Sequence, residues 1–173
     1  PTVRIGDRTK RKTYLIAFID DATRVIPYAA FALSENTRAF LPILEQAILR
    51  RGLPERLYVD NGSNYRSQHL SLVCAKLGVA LIHARPYKPQ GKGKIERWFK
   101  TVRAQLLTRL TDADTQSLEA LNRRLWAWVE GEYHQSPHQG IEGMTPLEKW
   151  AHNGDSVRFL ETGCNIHDLF LFE

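Results

Sequence analysis

The chain has 173 residues, enough for one domain with a buried core, and its 43% hydrophobic and 25% charged content is that of a globular rather than a disordered protein. No run of 18 apolar residues occurs and no signal peptide is visible, so neither a membrane span nor a membrane partner is expected. Lys and Arg total 24 against 19 acids, giving +5 and a pI near 9.4, a balance that suits a polyanionic partner without proving one.

In chain order, "TVRI" (2–5) reads as a strand and "GDRTKRK" (6–12) as a polar, basic turn. "TYLIAFI" (13–19) is apolar enough for a buried strand. "DDATR" (20–24) is a turn, and "VIPYAAFAL" (25–33) is a third strand in which Pro27 points to an edge position or a bulge. Three strands joined by short turns predict an antiparallel meander. The period then changes. Phe40, Ile43, Leu44, Ala47 and Ile48 recur at helical spacing, and Gly52 closes that segment. "RLYV" (56–59) is a short strand, Leu70, Val73, Cys74 and Leu77 mark a second helix ended by Gly78, and "VALIHA" (79–84) is the next strand. A Pro/Gly/Lys-rich loop (85–93) leads into a long helix carrying Ile95, Phe99, Val102 and Leu106. Alternating strands and helices predict parallel pairing with right-handed crossovers. The expected class is α/β, an antiparallel three-strand meander plus parallel strands in one mixed sheet flanked by helices.

Beyond 110 the pattern is helical. Leu118, Leu121, Leu125 and Trp128 share one face, and Thr145, Pro146 and Glu148 spell a capped helix start. We divide the chain into a core, 1–112, and a helical extension, 113–173. It opens at Pro1 without an initiator Met, and the apolar tail "DLFLFE" stops without a turn signal, so a piece of a longer protein is expected. Cys74 and Cys164 lack metal-type spacing and are read as reduced thiols of a cytosolic protein. His134 and His138 have zinc-like spacing, but Pro137 interrupts the helix that would align them, which favours structural roles.

Two carboxylates stand out. Asp60 directly follows the apolar run Leu57-Tyr58-Val59 and precedes Asn61-Gly62. A turn accounts for that word, but ligands of parallel α/β sheets also gather beyond the carboxyl ends of strands. Glu96 lies near the start of the long helix. Taking Ile95 as the centre of the buried stripe puts Glu96 about 100° around, with Lys100 and Arg103 on its side. An ordinary Glu96–Lys100 surface pair is the structural alternative. Residues 85–103 hold seven basic residues and one acid, interleaved with Tyr87, Trp98 and Phe99, the footprint of a nucleic-acid surface or of a solvated helix face.

"VDNGSNY" followed by "RPYKPQGKGKIER" resembles the core of retroviral integrases and bacterial insertion-sequence transposases, the DDE superfamily. The words are Asp-Asn-Gly-x-x-Tyr/Phe and Pro-Tyr-x-Pro-Gln-x-x-Gly-x-x-Glu, with 35 residues between Asp60 and Glu96, the family spacing. "YLIAFIDDATR" and "YHQSPHQGIEGMTPLEKW" extend the likeness over residues 2–150. The resemblance implies an RNase H-like fold and a triad of two Asp and one Glu holding two Mg²⁺ or Mn²⁺ ions. It makes Asp60 and Glu96 catalytic metal ligands, and puts Asn64, Tyr87, Gln90, Lys92, Lys100 and Arg103 in contact with DNA. Gly91 and Gly93 would keep the loop mobile. The family's first Asp has no matching word here. It is expected just before Pro1, with Asp20, Asp21 and Asp7 as local alternatives.

The implied activity is that of a polynucleotidyl transferase: metal-dependent cleavage at a transposon 3′ end, then strand transfer into target DNA. DNA and further copies of the chain are the implied partners, and the bacterial cytoplasm, at the nucleoid when acting, is the implied location. The alternatives are a nuclease of the same fold that only hydrolyses, and a non-catalytic DNA-binding module.

Overall fold

The structure is a computed structural model that describes residues 1–6, 9–60, 62, 67–85, 93–161 and 163–171. Strands β1 (Thr2–Ile5), β2 (Thr9–Lys12), β3 (Tyr14–Ala17) and β4 (Ala29–Ala32) come first. Helix α1 (Thr37–Arg51), strand β5 (Arg56–Val59), helix α2 (Gln68–Leu77), strand β6 (Ala80–His83) and helix α3 (Gly93–Gln105) follow. Helices α4 (Leu118–Gly131), α5 (Pro146–His152) and α6 (Ile166–Leu171) complete the chain.

The expected mixture of antiparallel and parallel strands flanked by helices is present. Among the described residues it forms three two-stranded ladders, β1–β2, β3–β4 and β5–β6, rather than one sheet. The first two are antiparallel and the third parallel. The main departure is at 9–12, expected as a turn. It is a strand paired with β1 and continuing almost directly into β3, so the meander's middle strand is longer than expected and changes partners along its length. All four β2 residues are exposed, so no apolar alternation marks them as a strand. The third strand is shorter than expected and begins after Pro27, which has no backbone N–H to donate to a ladder.

Pairing of Leu15 with Phe31 and of Ile16 with Ala30 sends alternate side chains to opposite faces of the β3–β4 ladder. Ile16 and Ala30 join a core with Phe40, Leu44, Leu57, Val59, Leu70 and Val73, beneath α1 and α2. Ala29 and Phe31 join a second core with Trp98, Val102, Leu121 and Trp128, beneath α3 and α4. The ladder is therefore covered on both faces.

Local chemistry sets the helix ends. Asn36, Ser67 and Ser117 each accept from a backbone N–H three residues on, at 3.0 Å. Thr145 and Glu148 form the expected capping box, both bonds 3.1 Å long. Gly52 ends α1 at φ +94, and a Cβ there would lie 2.6 Å from the Arg158 carbonyl oxygen, so glycine is required twice over. Arg158 also donates to the carbonyls of Pro54 and Gly78, and Ile166 and Phe170 of α6 enter the first core. No helix among the described residues is long and apolar enough to cross a membrane.

Candidate active site

Asp60 follows the last residue of β5. Leu57 and Val59 anchor that strand in the first core, and the Val59 carbonyl accepts from Ala84 N at 2.8 Å, so pairing persists to the residue before Asp60. The Asp60 side chain is exposed at this parallel-strand end. Glu96 is the fourth residue of α3 and is also exposed.

The packing of α3 corrects the stripe drawn from sequence. Ile95 and Phe99 are half-buried flanks, and the buried line is Trp98, Val102 and Leu106. At 3.6 residues per turn, Glu96 lies about 160° from Trp98, with Lys100 and Arg103 within about 40° of Glu96. All three are exposed, so the carboxylate and two cations share the face turned away from the core. No Glu96–Lys100 ion pair occurs among the described residues.

Trp98 is also corrected. Counted from sequence among aromatics interleaved with the basic segment, it is 2% exposed and packs against Phe99, Trp128 and Tyr133 with ring centres 5.6–6.2 Å apart. It belongs to the core and offers no face to a base. Asn64, Tyr87, Gln90 and Lys92, with Gly91 and Asp7, lie outside the described residues.

The β3–β4 connection is held by side-chain bonds that the sequence did not disclose. Asp20 accepts from the Thr23 backbone N–H at 3.0 Å and from its hydroxyl at 2.6 Å. The next residue but three, Arg24, holds φ +65. Tyr133 donates its hydroxyl to the Arg24 carbonyl at 2.8 Å, and Ile26 N–H donates to His134 Nε2 at 2.9 Å. With Nε2 accepting, the His134 proton sits on Nδ1 and is donated to Glu130, 2.7 Å away. Burial pushes the His134 pKa down to about 4 against the opposing pull of Glu130, so the ring is neutral at neutral pH. Burial and the nearby Arg24 also lower His138. Both His134 nitrogens are engaged, which leaves no zinc ligand there. Asp21 receives the Lys94 ammonium from the first turn of α3. These long-range bonds join residues more than seventy positions apart and carry no local sequence signal; the "DDATR" word alone pointed to this turn.

Two exposed carboxylates are hard oxygen donors, of the kind Mg²⁺ and Mn²⁺ take, and in that respect the residues fit a divalent ion. Among the described residues no third His, Cys, Asp or Glu completes a cluster.

Residues 37–112 match the family model of the TnsB C-terminal domain. The chain is 29% identical over 161 residues to the transposase for transposon Tn552 of Staphylococcus aureus, covering 82% of this chain and 33% of that protein. It is 32% identical over 139 residues to the Pol polyprotein of Radiation murine leukemia virus (strain Kaplan), covering 78% of this chain and 22% of that one. It thus spans about a third or less of these curated relatives. Among solved structures, the catalytic core domain of BIV integrase superposes with a TM-score of 0.64 at 22% identity, covering 84% of this chain and 90% of that one. The HTLV-2 integrase catalytic core domain in complex with magnesium, in its trimeric form, gives 0.61 at 20% identity, covering 86% and 89%. These two establish the integrase-core, RNase H-like fold. Fold, sequence relatives and family model point the same way: the chain is similar to the integrase-like DDE superfamily of transposases and retroviral integrases.

Proposed function

We propose that the chain carries the catalytic core of a DNA transposase or integrase, a polynucleotidyl transferase that cleaves DNA at a 3′ end and transfers the strand to a target. The observation that carries this reading is the shared exposed face of Glu96, Lys100 and Arg103 on α3, together with Asp60 at the end of β5. Asp60 and Glu96 would hold the divalent ions, which when bound activate a nucleophile and stabilise the leaving oxygen of a phosphodiester. Lys100 and Arg103 would bind backbone phosphates beside them. Asn64, Tyr87, Gln90 and Lys92 are assigned to DNA contact by family resemblance. Asp20 and Asp21 are engaged with Thr23 and Lys94, which supports assigning the third carboxylate elsewhere. Transposon ends and target DNA are the proposed substrates, further copies of the chain the proposed partners on DNA, and the bacterial cytoplasm the proposed location. The division at residue 112 belongs to the same proposal.

In the full-length protein, Asp60→Asn and Glu96→Gln should each abolish Mg²⁺-dependent cleavage and joining. Both sites are exposed, so stability should change by no more than about 0.5 kcal/mol. Near-normal cleavage by either variant overturns the assignment, and cleavage without joined products in the wild type would reduce the reading to a nuclease. Lys100→Ala and Arg103→Ala should each lower the slope of log K against log salt by roughly one, equally across DNA sequences.

A further inference from the structure

The β1–β2 hairpin carries more positive charge than its own fold accounts for. Val3, fully buried in the second core, is the one buried residue of its eight strand positions. The register sets Arg4 opposite Lys10, Thr2 opposite Lys12 and Val3 opposite Arg11. Opposed residues share a face, as do alternate residues along a strand, so Arg4, Lys10 and Lys12 project together from the side away from Val3. Like charges directly across an antiparallel pair destabilise it. Among the described residues no carboxylate forms an ion pair with Arg4, Lys10, Arg11 or Lys12. The Lys12 ammonium instead rests 5.2 Å from the centre of the Tyr14 ring.

The hairpin is also held firmly. Arg4 N–H donates to the Thr115 carbonyl at 3.0 Å, and Thr13 donates to the Pro1 carbonyl from its N–H at 3.0 Å and from its hydroxyl at 2.8 Å. A fixed ribbon with Arg4 opposed to Lys10 and Lys12 beside them on one face, none of them ion-paired among the described residues, is suited to an external row of anions. We propose that Arg4, Lys10 and Lys12 form a second contact surface for duplex DNA, binding backbone phosphates independently of α3. The proposal rests on the DNA-acting reading above. Regular spacing favours it: alternate strand residues lie about 6.6–6.8 Å apart, so Lys10 and Lys12 present cations at a fixed interval to a regularly charged backbone. A lipid surface is less well matched, because interfacial binding needs apolar side chains beside the cations and β2 has none.

The test uses the full-length protein carrying Arg4→Gln, Lys10→Gln and Lys12→Gln together, with binding to duplexes of unrelated sequence measured over a range of salt. The slope of log K against log salt should become shallower by roughly two to three units, by the same amount for each duplex. An unchanged slope in the variant, with normal binding by the wild type, overturns this surface alone. Failure of the wild type to bind any duplex overturns the DNA-acting reading with it. Phosphatidylserine vesicle binding that falls while duplex binding holds also overturns it. A second variant, Lys10→Glu, turns the repulsive cross-strand pair into an attractive one. It should melt higher at low salt than the wild type and bind duplex more weakly; undiminished duplex binding contradicts the proposal.

Discussion

The Lys94 ammonium donates to both the carboxylate and the backbone carbonyl of Asp21, the latter at 3.1 Å. The first turn of α3, which carries Glu96 two residues later, is thereby tied to the β3–β4 connection. That connection is itself held by Tyr133 and His134 from the segment following α4. A chain of bonds thus runs from His134 to the helix bearing the candidate catalytic glutamate.

Removing the tie should cost activity rather than stability. Asp21 is 86% exposed, so the pair contributes at most a few tenths of a kcal/mol and melting should hardly move in Asp21→Asn. The kcat of DNA cleavage should fall severalfold with KM nearly unchanged, and Lys94→Met in the Asp21→Asn background should add little further loss of kcat. Additive losses, or an unchanged kcat, would count against the positioning role.

Acid should weaken the fold through His134. Its folded pKa, about 4, lies below the ordinary value of 6.5, so between these values the unfolded chain binds a proton that the native chain does not. Stability therefore rises with pH across this window and is lost as pH falls from about 6.5 toward 4, by roughly 3 kcal/mol in total at 1.36 kcal/mol per unit. Denaturant titrations at steps between pH 4 and 7 should show this slope, and His134→Gln should flatten it while lowering stability at pH 7.

Trp98→Ala should lower stability by about 3–5 kcal/mol, the cost of emptying a large buried site. DNA affinity, measured where the variant is still folded, should hold. A base-stacking tryptophan would give the opposite pattern, losing about 1–3 kcal/mol of binding with stability intact. Denaturation and anisotropy on the same sample separate the two.

The parts of this molecule legible in its sequence are those whose cause is local. Val59 packs inward and Asp60 stands exposed at a strand end, and both follow from alternation that stops at a charge. The Thr145–Glu148 capping box is written in four consecutive residues. β2 was not legible because a strand exposed on both faces has no apolar period. Trp98 was misplaced because its basic neighbours describe the surface of α3 while its own ring faces Trp128 and Tyr133. The Lys94–Asp21 and His134–Ile26 bonds depend on which segments meet in space, and no local pattern encodes that.

Helix α6 has a consequence for how the chain is made. Phe170 and Ile166 close a core whose other members, from Ile16 to Val79, leave the ribosome much earlier. During synthesis that core must wait, with apolar surface on α1 uncovered, while α3, α4 and α5 emerge. The second core is complete by Tyr133 and can consolidate first. A nascent chain stalled before residue 166 would thus have its second core complete and, in the first, the apolar surface that Ile166 and Phe170 cover still open to water.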